Sequence, residues 1–391
     1  MNKTPEIRFP EFEGLWLDIK LGELMDFRNG MNADKSRYGR GYKFVNVLDV
    51  IAEAPILDEK IIGRVDADSD EVARFGLKAG DIVFQRSSET REDAGQANAY
   101  IGDGEALFGG FVIRGRPKVS LDAQYMASLL RTDNARKNIT NLAGGSTRFN
   151  VGQETLSSVQ ILIAPTLPEQ KKIAAFLSAL DDKLAAIEAQ LTEWREYKRG
   201  MMQGLFSQTL RFKADDGSDF PDWENKQLSD VADIVKGKQL SRDNMDSEAL
   251  IPVINGGKTL SGYTEEANEA ANTITISEGG NSCGYVGFQS EPFWLGGHCY
   301  AIRPKKIESN IYLFQCLKDI QTSIMRLRVG SGLPNIQKGD LNKLKVAFPA
   351  LPEQQKIADF LSSIDAKIEA LTIRLEATQD FKRGLLQKMF V

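Results

Sequence analysis

Histidine is nearly absent from this chain of 391 residues: the single one, His298, allows no histidine pair and no repeated histidine acid or base. Cysteine is almost as scarce. Cys283, Cys299 and Cys316 all fall in the second half, and an odd number without paired spacing argues against a disulfide framework. They read as small buried hydrophobes. Nowhere do eighteen apolar residues run together, so no membrane helix and no membrane partner are expected. The start, "MNKTPEIRFPEFEG", lacks the apolar run of a signal peptide, and the expected location is cytoplasmic. A basic excess is missing too. Net charge is -5, whereas simple nucleic-acid binders carry surplus Lys and Arg to neutralise phosphates. If DNA is a partner, the cations must be focused locally or supplied by another subunit.

Motifs for chemistry are also lacking. "GGKT" resembles the end of a phosphate loop, but Pro252 stands where that motif requires its first glycine. Asp222, Glu224 and Lys226 in "PDWENK" lie too close together in sequence to build a nuclease metal site. His298 and Cys299 have no paired zinc spacing with Cys283. Their surroundings, "FWLGGHCYAI", read as core strand. No glycine-rich cofactor loop follows a strand, and no nucleophile elbow occurs. The reading therefore assigns no catalytic residue, no metal and no cofactor to this chain.

What is present is a repeat. "LPEQKKIAAFLSALDDKLAAIEAQLTEWREYKRGMMQGLF" from Leu167 and "LPEQQKIADFLSSIDAKIEALTIRLEATQDFKRGLLQKMF" from Leu351 align without a gap, about half their positions identical. Each starts with proline and "EQ", suiting a helix N-terminus, where proline fits the first turn and a carboxylate complements the dipole. Apolar residues then step by four and three. They are Ile173, Leu177, Leu180, Leu184, Ile187, Leu191 and Trp194, then Met201 and Leu205, in the first copy. In the second they are Ile357, Leu361, Ile364, Ile368, Leu371 and Leu375, then Leu385 and Met389. This is a heptad seam. A helix of about 38 residues would be on the order of 57 Å long, a spacer rather than a local core element.

Two such stripes in one chain are best satisfied by packing on each other. Equivalent units related by a pseudo-two-fold axis make the helices antiparallel. Trp194 faces Thr378 in the alignment and breaks the symmetry. Lys198 and Lys382, in "YKRG" and "FKRG", interrupt both seams at one place. Either their stems snorkel along apolar surface, or Lys198, Arg199, Lys382 and Arg383 mark where the pair opens to another chain. Phe176 with Phe360 and Tyr197 with Phe381 are aromatic in both copies outside the seam, as exposed aromatics meeting a repeated partner would be.

The predicted division is a globular section over 1–166, a helix over 167–206, a second globular section over 207–350 and a helix over 351–391. Both sections mix short strand-like runs with one helical stretch, "DAQYMASLLRTDNARKNITNL" and "NIYLFQCLKDIQTSIMRLR". The fold class is α+β: two β-rich domains joined by two long antiparallel coiled-coil helices. The helices match closely and the loops only in outline, as two different binding faces on one scaffold would. Candidate phosphate or base contacts are Lys35, Arg37, Arg40 and Lys43, then Gln85, Arg86 and Arg91. In the second section they are Lys236, Lys238, Gln239, Arg242, Asn255 and Lys258.

Two long helices each opened by "LPEQ" and closed by "KRG", with approaches such as "GGSTRFN" and "GSGLPN", make the chain resemble the DNA specificity subunit of type I restriction-modification systems. The resemblance spans essentially the whole chain. It implies two target recognition domains, each reading one half of a split, asymmetric site in double-stranded DNA, with the helices fixing the gap. It further implies two methyltransferase subunits that methylate adenine with S-adenosylmethionine, and two restriction subunits that use ATP and magnesium. Those cofactors would belong to the partners. The competing reading is a non-enzymatic adaptor that holds proteins or glycans with the coil as spacer.

Overall fold

The computed structural model describes residues 4–241, 245–305, 309–330, 332 and 334–390. They form two compact units, Met1–Ile187 with Arg374–Val391, and Glu188–Ile373. Each unit holds one globular domain and a half of each long helix.

In the first unit, strand Leu17–Lys20 pairs antiparallel with Gln160–Ile163, so the ends of the globular section meet at the root of the central helix. A four-stranded antiparallel sheet runs in the order Met25–Asn29, Val112–Pro117, Ile82–Gln85, Ala97–Ala99. All four residues of Ile82–Gln85 are buried, as expected of a β-branched and aromatic strand covered on both faces. A three-stranded sheet places Tyr38–Val45 between Arg64–Val65 and Ala106–Phe108.

The second unit repeats this order. Glu224–Gln227 pairs with Lys345–Phe348. The four-stranded sheet is Ala232–Lys236, Cys299–Pro304, Thr273–Ser277, Val286–Gln289, and the three-stranded one is Gly262–Thr264, Ile251–Ile254, Trp294–Leu295. The sequence reading of one packed helix per domain needs correction. Ala123–Leu130 and Asp133–Asn141 are separate helices, and so are Asn310–Asp319 and Gln321–Arg326. In the first pair Arg131 leaves the helix and donates to the carbonyls of Ala97, Glu53 and Ala52, and Thr132 is extended.

The long helices are Leu167–Phe206, 40 residues, and Leu351–Met389, 39 residues. Within the first unit, Ile173, Leu177 and Leu180 share a core with Leu385, Met389 and Phe390. Within the second, Met202 and Leu205 share one with Ile357, Leu361 and Ile364. The start of one helix thus meets the end of the other in each unit, the antiparallel arrangement predicted from the repeat. Ile187, Leu191 and Leu371 are also buried, while Leu184, Ile368 and Leu375 are half-buried. Near the end of the central helix the buried position is Met202, with Met201 half-buried. Thr378 is buried, and Trp194, half-buried, packs edge-on against Tyr197.

The lysines that interrupt the seam are ion-paired. Lys198 donates to both carboxylate oxygens of Asp365 at 2.7 and 2.8 Å, and Lys382 pairs with Asp181. Lys198 aligns with Lys382 and Asp365 with Asp181, so one clasp is written twice, once in each unit.

The "LPEQ" opening is a buried joint. Glu169 is 1% exposed and accepts from Arg8 at 2.7 and 2.9 Å and from the Trp16 indole at 3.2 Å. Glu353 is fully buried and accepts from Arg211 at 2.8 and 3.0 Å and from Trp223 at 3.1 Å. A buried carboxylate is tolerated only when charge-assisted donors satisfy it, which both sets do. The adjacent Gln170 and Gln354 donate to the carbonyls of Ala164 and Pro349, tying each helix start to the strand before it.

Candidate nucleic-acid interface

The basic candidates of the first domain fall into two groups. Lys35 is exposed on a single 3-10 turn, Lys35–Arg37. Arg37 binds Glu71 and the Asp66 carbonyl, and the Glu71 hydrogen bond holds its guanidinium above the ordinary arginine range. Arg40 pairs with Asp66 at 3.2 Å, and Lys43 donates to the Ile61 carbonyl at 2.6 Å. Three of these four cations are therefore engaged inside the domain. In the second group, Gln85 is buried and donates to the Ser87 carbonyl, leaving its own side-chain oxygen unpaired. Arg86 reaches the Gly110 carbonyl, and the Arg91 guanidinium lies 5.0 Å over the Phe149 ring. The backbone carbonyl of Arg86 accepts from Val151, so strand end, glycine turn and the 144–150 loop converge.

In the second domain the described candidates lie around one turn. Lys236 pairs with the buried Glu278 at 2.7 Å, and the Tyr300 hydroxyl donates to the same carboxylate. Burial first, then that carboxylate, pushes the Tyr300 hydroxyl well above its usual range. Gln239 lies against Gly297, and Asn255 accepts from the His298 amide at 3.2 Å. Lys238 is exposed, its carbonyl accepting from the Trp294 indole. Lys258 is exposed on the rim of a cavity of about 450 Å³ that also borders Thr275, Ser277, Tyr285 and Gln289. Arg242 lies outside the described residues.

Two features escaped the sequence reading. One is a cleft of about 840 Å³ in the first domain, lined by Lys20, Arg28, Arg114 and Arg116 with Asp26 and Glu154. Arg114 is 6% exposed, and burial with Arg116 and Arg28 nearby lowers its guanidinium to about 10. The other is His298, which is exposed on the turn before strand Cys299–Pro304 and is not core strand. "FGGFVIRGRP" beside "LGGHCYAIRP" was the signal, since the paired glycines mark a turn and the shared "RP" its register.

On the helices, Phe176 and Phe360 correct the picture of four uncovered aromatics. Phe176 is half-buried and edge-packed on Phe9 at 5.8 Å, and Phe360 on Phe212 at 5.7 Å. The N-terminal segment of each domain covers them. Tyr197 and Phe381 are the exposed pair. Arg199 and Arg383 are exposed, each beside an acid three positions earlier, Glu196 and Asp380. Cys283, Cys299 and Cys316 are buried, and burial raises Cys299 and Cys316 to about 12. Among the described residues no group of three His, Cys, Asp or Glu is placed to hold a metal, and no helix is long and apolar enough to cross a membrane.

A β-rich domain and a long helix, both written twice with one topology and different loops, define a two-headed recognition scaffold. Comparison supplies the family. The model for the type I restriction-modification DNA specificity domain matches residues 13–193 and 221–379, and the chain belongs to that family. A relative in Methanocaldococcus jannaschii, described as the MjaX specificity subunit of a type I restriction enzyme, is 27% identical over 395 residues, covering 94% of this chain and 92% of the relative. A type I specificity subunit of Mycoplasma genitalium is 30% identical over 171 residues, covering 43% and 44%. The crystal structure of a type I S subunit from M. genitalium matches with a TM-score of 0.70 at 20% identity over 99% of both chains, the same fold.

Proposed function

We propose that this chain is the non-catalytic DNA-reading subunit of a type I restriction-modification complex. Each globular domain reads one half of a bipartite, asymmetric site in double-stranded DNA, and the paired helices fix the unspecified gap. The observation that carries the reading is the repeat itself. One backbone frame is used twice, with different side chains at the same loop positions, as two heads reading different half-sites require.

In this reading two methyltransferase subunits dock on the helical scaffold, where Tyr197 and Phe381 offer equivalent exposed aromatics. They would flip and methylate adenine with S-adenosylmethionine. Two ATP- and magnesium-dependent restriction subunits complete the assembly, which works in the cytoplasm. The net charge of -5 fits a subunit that shares DNA binding with its partners. The test is methylation of defined duplexes by the chain combined with its methyltransferase. Adenine methylation restricted to a split sequence supports the reading; methylation independent of the chain defeats it.

A further inference from the structure

The two domains coincide, hydrogen bond by hydrogen bond, around one turn. In the first, Gly30 donates to Val112, Met31 to Phe108, Val112 to Gly109, Gly109 to Val45, and Arg86 to Phe111. In the second, Gly237 donates to Cys299, Lys238 to Leu295, Cys299 to Gly296, Gly296 to Ile254, and Glu278 to His298. A glycine is required at Gly30 and Gly237, because a methyl group there would overlap the carbonyl oxygens of Gly109 and Gly296. On the turn itself, residues 109–112 and 296–299, the frame presents one exposed side chain in each domain: Phe111, 59% exposed, in the first and the chain's only histidine, His298, in the second.

A phenyl ring held out on a braced turn does nothing for the core of its domain. Around it stand polar groups that differ between the domains. Arg86 donates to the Gly110 carbonyl and Asn32 sits on Gly110, whereas Gln239 sits on Gly297 and Asn255 holds the His298 amide. We infer that Phe111 and His298 occupy one recognition address and select the base at a matching position of each half-site. This inference rests on the DNA-reading function proposed above. The phenyl offers apolar contact to a thymine methyl group or base face; the imidazole offers a hydrogen bond to a purine edge. The swap of one for the other at a fixed address is how a single frame acquires two specificities.

The test is sequencing of adenine methylation in cells carrying the full chain with its methyltransferase, as wild type, Phe111→Ala, Phe111→His, His298→Ala and His298→Phe. Both positions are exposed, so a thermal unfolding midpoint within about 1 °C of wild type checks that each variant folds. The expected result is that the Phe111 variants change the preferred base at one position of one half-site, on the order of tenfold, and the His298 variants do so only in the other half. An unchanged motif overturns the inference. So does a uniform loss at all sites with the motif intact, since phosphate contacts weaken every sequence alike. No split motif for the wild-type chain would instead defeat the DNA-reading function itself.

Discussion

Replacing Glu353 with alanine should cost the second unit more than almost any other single change on its helices. The carboxylate is fully buried and satisfies Arg211 through two hydrogen bonds and Trp223 through one. Its removal leaves a half-buried guanidinium and a half-buried indole N–H without their shared acceptor, a loss of about 3–5 kcal/mol for breaking a pair whose carboxylate is fully buried. Near a melting midpoint that corresponds to roughly 6–20 °C for a domain of this size. Glu353→Gln keeps the shape and an acceptor but loses the charge, so about 1.5–3 kcal/mol is expected. Arg211→Met alone should also destabilise, because it leaves the carboxylate buried and uncompensated. The assay is calorimetry with a double-mutant cycle, supported by hydrogen exchange. Coupling should exceed about 1 kcal/mol, and protection should fall around residues 211–223 and 351–358. The equivalent cycle on Glu169 and Arg8 should behave alike in the first unit. A shift under one degree for Glu353→Ala, or coupling near zero, would refute the buried-joint reasoning.

The clasps Lys198–Asp365 and Lys382–Asp181 are only half-covered, so Asp365→Ala should cost about 0.5–1 kcal/mol. Exchanging the charges, Lys198→Asp with Asp365→Lys, should restore most of it, and denaturant titration reads both. Gly30→Ala should destabilise the first domain by a few kcal/mol through overlap with the Gly109 carbonyl, visible as a lowered unfolding midpoint. Cys299 and Cys316, raised by burial to about 12, should resist thiol reagents at pH 8 until the chain unfolds. A raised thiol favours the folded state below the unfolded value near 9. That contribution fades as pH rises from about 9 to about 12, and Cys→Ala variants should flatten the alkaline loss. Under the proposed function, deleting one heptad from each helix removes about 10 Å and should shorten the methylated motif's gap by roughly three base pairs.

The helices were legible because their information is local and periodic: Ile173 to Leu191 and Ile357 to Leu371 announce a buried stripe by spacing alone. The joint was only half legible. "LPEQ" marks a helix start, but Glu169 and Glu353 are buried because Arg8 and Arg211 reach them from far away in the chain, which no periodicity records. The same blindness affected the basic candidates. Arg37 and Arg40 look free in "KSRYGRGYK", yet Glu71 and Asp66 answer them across the small sheet. The apolar residues around His298 suggest strand; the paired glycines that turn the chain outward carry the contrary signal. Phe111 becomes informative only when the two domains are laid register on register.

The most direct measurement is the adenine methylome of cells expressing the chain with its methyltransferase against cells lacking the chain. DNA reading by two heads predicts a new methylated-adenine motif in two short halves separated by a fixed gap. If the methyltransferase binds the chain and stays soluble, yet no adenine motif depends on it, the chain does not specify DNA and the function proposed here is wrong.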